Sequence, residues 1–379
     1  MRCGKVLITG ATGFIGSRLC ERLSLHYRVP YRALVHNFGK AARIGRLGAE
    51  MVAGDLDDKA SLSSALSGCD GVVHLAYGNN AGRAEKILLS ACREAGIKRF
   101  VHISSMAVHG PNPGPECARE ATATIGRYGE PYSDAKARAE RVVQRAIDGG
   151  MPGIILRPTV VYGPYSPFVT RIVQDARAGA VSLIDEGKGV CNAVYVDDVC
   201  DAIYAALETD RGLGKAFFVN ADRAVSWRDF NTTFAEMVRP LPRILNVSAD
   251  AARAYWRSAR PSLRSNLTAL KRLAMSSDFH DQLATVPALR SAIRWTKVNL
   301  KKALSADRVN ALKNIGAEHA SPAAWTAWPD QGRIVREDFH LEFSNELAKT
   351  LLGWRPAYDF VAGAAVTRSW LEFARMLES

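Results

Sequence analysis

Short apolar runs recur through the first half of the chain, and the stretches between them carry apolar residues at helical spacing. The runs are "KVLITG", "YRALVH", "GAEMVAGDL", "DGVVHLAY", "RFVHISS" and "GIILRP". Between them lie a helix around residues 14–25, the helix-like "GRAEKILLSACREAG" and a helix opening at "PYSDAKARAE". Apolar strands separated by helices of about 10–15 residues predict a parallel sheet covered on both faces. The expected fold class is therefore α/β, with a doubly wound parallel sheet.

After Pro158 the pattern loosens. "NAVYVDDVCDAIYAAL" reads as a strand end running into a helix, and "KAFFVNA" as a further strand. Ser226-Trp227-Arg228-Asp229 has the form of a capping box and should open another helix. Residues 240–315 read as mainly helical, interrupted by Pro240, Pro242, Pro261 and Pro287, and "SPAAWTAWPDQG" reads as a loop. "NELAKTLLGW" and "VAGAAVTRSWLEFARML" predict closing helices, and no internal repeat stands out.

Composition narrows the class. A chain of 379 residues with 47% apolar content can bury a large core. No apolar run approaches the roughly 20 residues that span a bilayer, and the N-terminus enters a strand with no signal-peptide core. Seven scattered cysteines without a C-x-x-C pair argue for free thiols and against structural zinc. The expectation is a cytoplasmic protein with no metal. The net charge of +12 is uneven: between Arg239 and Glu318 there are 15 Lys and Arg against 5 Asp and Glu. Such a segment either attracts phosphate or acidic lipid or forms solvated helix faces. Arg253, Arg257, Arg260 and Arg264 sit at helical spacing near Tyr255 and Trp256, which also suits contact with a membrane surface. Trp256 and Trp295 suit either base stacking or core packing.

Two local patterns carry candidate chemistry. "VLITGATGFIG" sets Gly10, Gly13 and Gly16 three apart where a strand meets a helix. Glycines there allow a tight turn and let the backbone approach a pyrophosphate resting on the helix N-terminus. In "PYSDAK", Tyr132 and Lys136 lie at i and i+4, so a helix puts them on one face.

With the preceding threonine, T-G-x-x-G-x-x-G resembles the extended branch of the short-chain dehydrogenase/reductase superfamily, the NAD-dependent epimerase/dehydratase family. Further blocks agree in order: "GDLDD", "HLAY", "VHISSMAVHG", "PYSDAK", "LRPTVVYGP", "NAVYVDDVCDAI" and "LGWRPAYDF". The resemblance covers roughly residues 5–235 and 343–375. It implies a Rossmann-type NAD(P)-binding lobe over residues 1–235, with parts of 161–190 contributing to the substrate lobe. Residues 236–379 would form a smaller, mainly helical substrate-binding lobe holding a basic insertion at about 240–335.

The resemblance also implies roles. Tyr132 would be the acid/base, Lys136 its partner, and Ser105, 27 residues upstream, the third member, with Ser104 as the fallback. A nearby ammonium and a nicotinamide cation should favour the phenolate. The cofactor would be contacted by Gly10, Thr12, Gly13, Phe14, Ile15 and Gly16, and by His36 and Asn37 at the end of the second strand. Asp55, Leu56, Leu75, Ala76, Tyr77, Pro158 and Thr159 would join them, with Tyr132 and Lys136. Ser105, Met106, His109 and Tyr162 would face the substrate, although His109 also suits local packing. Ser105 is followed by Met106-Ala107 where dehydratases of this branch carry Asp-Glu, which counts against a dehydratase.

The cofactor is NAD or NADP. No acid closes the second strand to repel a 2′-phosphate, which leans towards NADP, while Lys40 and Arg43 are either phosphate ligands or solvated charges. The leading expectation is an NAD(P)-dependent epimerase of a nucleotide sugar. Its alternatives are an NADPH-dependent reductase or dehydrogenase of a carbonyl or hydroxyl compound, and a non-catalytic dinucleotide-binding protein. The small-molecule partner would be a nucleotide sugar, and the family's helical-bundle dimers imply a homodimer. Nothing resembles a nucleic-acid recognition module.

Overall fold

The computed structural model describes residues 4–77, 80–258 and 329–378. Strands β1 (Val6–Thr9), β2 (Tyr31–Val35), β3 (Glu50–Ala53), β4 (Gly71–His74), β5 (Arg99–Ile103) and β6 (Gly153–Pro158) alternate with helices. These are α1 (Phe14–Arg22), α2 (Lys59–Leu66), α3 (Arg83–Glu94) and α4 (Pro131–Asp148). Then follow β7 (Val160–Tyr162), α5 (Pro167–Arg177), β8 (Ala180–Ile184), β9 (Val190–Cys191), β10 (Ala193–Tyr195), α6 (Val196–Glu208) and β11 (Ala216–Val219). The main sheet has seven strands in the order β11-β6-β5-β4-β1-β2-β3, and every pair is parallel. This is the Rossmann-type α/β fold.

Strand periodicity builds the two layers. Val6 and Ile8 point into one buried cluster with Leu19 and Ile203, while Leu7 points into the other with Leu62, Leu88 and Val143. The strand order reverses beside β1, so the connections leaving β1 and β4 run in opposite directions along the sheet and open a crevice at the carboxyl ends of the strands. That crevice positions the site.

Two acids at the start of α6 join distant segments. Asp197 takes a bidentate hydrogen bond from Arg18 of α1, at 2.6 and 2.7 Å. Asp198 is fully buried and accepts from the backbone N–H of Ala357 at 2.7 Å and of Tyr358 at 3.3 Å. Its carbonyl accepts from the Trp354 indole at 2.9 Å. Burial pushes the Asp198 carboxyl up to about 6 despite the two N–H donors.

By contact, Met1–Ala249 and Asp330–Ser379 form one compact unit and Asp250–Pro329 a second. The expectation of mainly helical structure over 240–315 is met by the helix Ala249–Ser258 but needs correction just ahead of it. Arg243–Val247 is a strand pairing in parallel with β8, Ile244 opposite Val181. Pro240 and Pro242 break any helix there, and the β8 edge satisfies the backbone instead. Most of that stretch lies outside the described residues, as do Arg260, Arg264 and Trp295. Among the described residues no helix is long and apolar enough to cross a membrane, no metal-binding cluster occurs, and six cysteines are free and buried.

Candidate active site

The turn after β1 is closed to side chains. Gly10 has φ +72°, and a Cβ on it would come 2.7 Å from the Ala76 amide nitrogen. A Cβ on Gly16 would meet the Gly10 carbonyl oxygen at 2.1 Å. The bare backbone therefore faces the crevice together with the first N–H groups of α1, which have no partners within the helix. This cradle fits a dinucleotide pyrophosphate.

The polar side chains next to this cradle come from the end of β5 and from α4. Glu130 caps α4, accepting from the N–H of Tyr132 at 3.2 Å and of Ser133 at 2.6 Å, and Pro131 occupies the first turn. Asp134 accepts from Tyr128 and Gly129 N–H at 2.7 and 3.0 Å, fixing the loop ahead of the helix. Tyr132 thus sits in the first turn and Lys136 one turn deeper.

These groups meet around one cavity of about 610 Å³, lined by Gly10, Gly13, Phe14, Ile15, Gly16, Leu75, Tyr77, Ser105, Tyr132, Lys136, Pro158 and Thr159, among others. The Tyr132 ring is 44% exposed, but into this crevice, and its hydroxyl is desolvated. Burial raises the phenol's pKa above 10, and the Ser105 side chain pulls it back down. Lys136 is buried, and its Nζ donates to the Ile103 carbonyl at 3.1 Å and lies 5.5 Å from the Tyr77 ring centre. The Tyr77 and Tyr132 rings are also 5.5 Å apart, so Tyr77 lies beside both members of the pair. Burial lowers Lys136 to about 8, opposed by the charges of Glu85 and Glu140. The protein alone thus keeps the phenol protonated, and the expected lowering would need the nicotinamide cation as well as Lys136.

Ser104 and Ser105 differ in what they bind. The buried Ser104 hydroxyl donates to Glu140, which also takes Arg157 at 2.6 Å. Ser105 is the one left to interact with Tyr132, and its hydroxyl also caps the Ala107 N–H at 3.2 Å.

Several predicted contacts fall elsewhere. Tyr162 does not line the cavity: it is 1% exposed, packs against Tyr195, Phe230 and Phe360, and donates to the Asp359 and Phe360 carbonyls, each at 3.3 Å. Its neighbours Val160 and Val161 line the cavity instead. His109 is buried against Phe218 and Phe343, with Nδ1 2.6 Å from the Thr124 carbonyl, and burial holds it down at about 4. Met106 is on the wall.

Thr12, Ala76, His36, Asn37, Asp55 and Leu56 are not on that wall. Ala76 instead backs Gly10. His36 and Asp55 are exposed and face each other at 3.5 Å, while Asn37 caps a short turn by accepting from the Gly39 N–H at 2.8 Å. Arg43 is engaged elsewhere, bidentate to Glu21 at 2.6 and 2.8 Å and 4.0 Å from the Tyr165 ring centre.

The far wall was not foreseen. Pro111, Phe168, Val335, Arg336 and Phe339 complete it together with Met106, Val160 and Val161. Arg336 belongs to the helix Gln331–Glu337, which follows the second unit in sequence. In "GRIVRED" the i,i+4 spacing pairs Arg333 with Glu337, and nothing local marks Arg336 for the cavity.

Comparison with known proteins follows this geometry. A profile described as "NAD dependent epimerase/dehydratase family" matches residues 6–219. The chain belongs to this family. Among its curated relatives, a 4-hydroxy-2-methyl-3-oxo-4-farnesyl-3,4-dihydroquinoline-1-oxide ketoreductase of Stigmatella aurantiaca is 26% identical over 69% of this chain and 83% of the relative. A 2-alkyl-3-oxoalkanoate reductase of Stenotrophomonas maltophilia is 29% identical over 59% of this chain and 73% of that protein. Among solved structures, the UDP-glucuronic acid 4-epimerase of Bacillus cereus, in complex with UDP-glucuronic acid and NAD, superposes with TM-score 0.66. It covers 98% of this chain and 99% of its own at 19% identity, a likeness of fold alone. Members of the family are NAD(P)-dependent oxidoreductases and epimerases, and this chain is an enzyme of that kind.

Proposed function

We propose that the enzyme is an NAD(P)-dependent ketoreductase acting on a largely apolar keto compound. The observation that carries this is one cavity with two unlike walls. The glycine cradle, Ser105, Tyr132 and Lys136 line one part of it, and Met106, Pro111, Val160, Val161, Phe168, Val335 and Phe339 give the rest of the lining its apolar character. A wall of that chemistry favours burial of hydrocarbon. The two relatives named above carry ketone reductions in their names. The reductase alternative therefore moves ahead of the nucleotide-sugar epimerase.

The backbone of residues 10–16 and the N-terminus of α1 would hold the pyrophosphate. A bound reduced nicotinamide supplies the hydride. Tyr132, protonated at neutral pH, gives its proton to the carbonyl oxygen as that oxygen gains charge, and Ser105 hydrogen-bonds the same oxygen. Lys136 offsets the charge left on the phenol. With Arg43 taken by Glu21, the lean towards NADP rests on Lys40 and on the lack of an acid at positions 36 and 37.

The test is nicotinamide absorbance during incubation with 2-alkyl-3-oxoalkanoates, matched ketones and UDP-glucose. Steady consumption of NADPH or NADH with the ketones is expected. Conversion of UDP-glucose to its epimer with no net change in absorbance would replace this reading with the epimerase.

A further inference from the structure

We propose that Arg336 anchors a single carboxylate of the substrate, so that the preferred ketone is an apolar keto acid; this rests on the ketoreductase reading above. The helix Gln331–Glu337 brings two arginines beside one acid. Glu337 is taken by Arg333, whose Nε donates at 2.5 Å and Nη2 at 3.2 Å. Arg333 is further held by Ser182, its Nη1 donating to the hydroxyl at 2.9 Å and its Nη2 to the carbonyl. That pair is buried, neutral and complete. Arg336 reaches Glu337 only at 4.0 Å, and its Nε is buried with no hydrogen-bond partner.

A buried N–H of a cation left without an acceptor is costly, and an incoming anion would relieve that cost. The Arg336 guanidinium lies 4.8 Å from the Phe168 ring centre and 5.6 Å from that of Trp227. The two rings orient its plane, which suits a bidentate carboxylate. Burial lowers the Arg336 pKa from the ordinary arginine value, in keeping with an uncompensated charge.

Charge balance selects a monoanion. Among the described residues lining the cavity the charged groups are Arg336, Lys136 and Glu130; Lys136 stands beside Tyr77, and Glu130 is engaged by the N–H groups of Tyr132 and Ser133, which leaves Arg336 to meet an incoming anion. A diphosphate would bring two charges to one weakly paired guanidinium in a lining that also holds Met106, Pro111, Val335 and Phe339. One carboxylate with a hydrocarbon tail matches both the charge and the wall.

The test is calorimetric binding of decanoate and 1-decanol to the full chain saturated with NADP⁺. We compare wild type, Arg336→Gln and Arg336→Lys, each first shown to keep its melting temperature and NADP⁺ affinity. Decanoate should bind wild type, lose about tenfold or more in affinity in Arg336→Gln, and fall between in Arg336→Lys. The affinity for 1-decanol should change by less than about threefold. Equal decanoate affinity in wild type and Arg336→Gln overturns the anchor. So does absence of decanoate binding, or UDP-glucose binding more tightly than decanoate with the same dependence on Arg336. Should decanoate binding depend on Arg336 while 3-oxodecanoate is not reduced, the anchor stands and the ketoreductase reading falls.

Discussion

The two walls of the cavity are built on opposite principles. The cofactor-side wall uses glycine backbone and three polar side chains, each placed by a strand end or the first turns of α4. The far wall uses side-chain bulk drawn from β7, α5 and the helix Gln331–Glu337, with Arg336 as its cation. The first wall is defined by what the backbone leaves open, and the second by which side chains fill it. The same turn and the same tyrosine–lysine pair can therefore serve many substrates while the far wall changes.

Substitutions on the first wall should be the most damaging. Tyr132→Phe should lower kcat by roughly 10²–10⁴, the usual share of a positioned acid, while leaving the cofactor Kd within a few fold. Steady-state rates and fluorescence titration with NADPH check this, and a kcat within tenfold of wild type would remove Tyr132 from the chemistry. Gly16→Val would push a side chain onto the Gly10 carbonyl. It should weaken the cofactor by about 1.4 kcal/mol or more, tenfold in Kd, in a protein whose far-UV circular dichroism is unchanged. Unaltered affinity would move the pyrophosphate away from this turn.

The lysine gives a pH signature. Lys136 is charged below about 8 and neutral above it. If its charge supports Tyr132, log kcat/KM should be flat on the acid side and fall with unit slope above that pH, tenfold per unit. In Lys136→Arg the inflection should leave the accessible range. A profile identical in both proteins would show that another group titrates.

The smallest effects belong to the residues that the structure removes from the site. Tyr162→Phe should cost about 1 kcal/mol of stability, from two long hydrogen bonds, and alter kcat/KM by less than about twofold. A larger kinetic effect would return Tyr162 to the substrate. His109 is held at about 4 when folded, against 6.5 for a free histidine. Its folded-state pKa is depressed, so the stability it contributes is present above 6.5 and is lost as pH falls towards 4. Thermal melts of wild type should therefore decline more steeply than those of His109→Phe across that window.

Legibility followed the same division. The glycine turn, Ser105, Tyr132 and Lys136 could be read because strand–turn–helix geometry forces short, fixed spacings on them. The register between Ser104 and Ser105 could not, since it depends on Glu140 claiming one hydroxyl from 36 residues away. Tyr162 lies off the cavity lining because the carbonyls of Asp359 and Phe360 and the rings of Phe230 and Phe360, all distant in sequence, engage it. Which alternative Arg43 follows could not be read either, because Glu21 and Tyr165, from α1 and the loop before α5, together engage it. Arg336 had no local pattern to betray it, because its place depends on where the chain returns after residues 250–329.

The ties at Asp198 bear on how the protein would respond to trimming. The acid is interior, and Ala357, Tyr358 and Trp354 reach it from the last thirty or so residues of the sequence. Proteolysis ahead of Trp354 would strip a stranded carboxylate of its amide donors in the first turn of α6. The same helix holds Arg18 of α1 through Asp197, so damage at the tail would travel to the helix whose first turn meets the cofactor. A clipped preparation should lose dinucleotide along with its C-terminus.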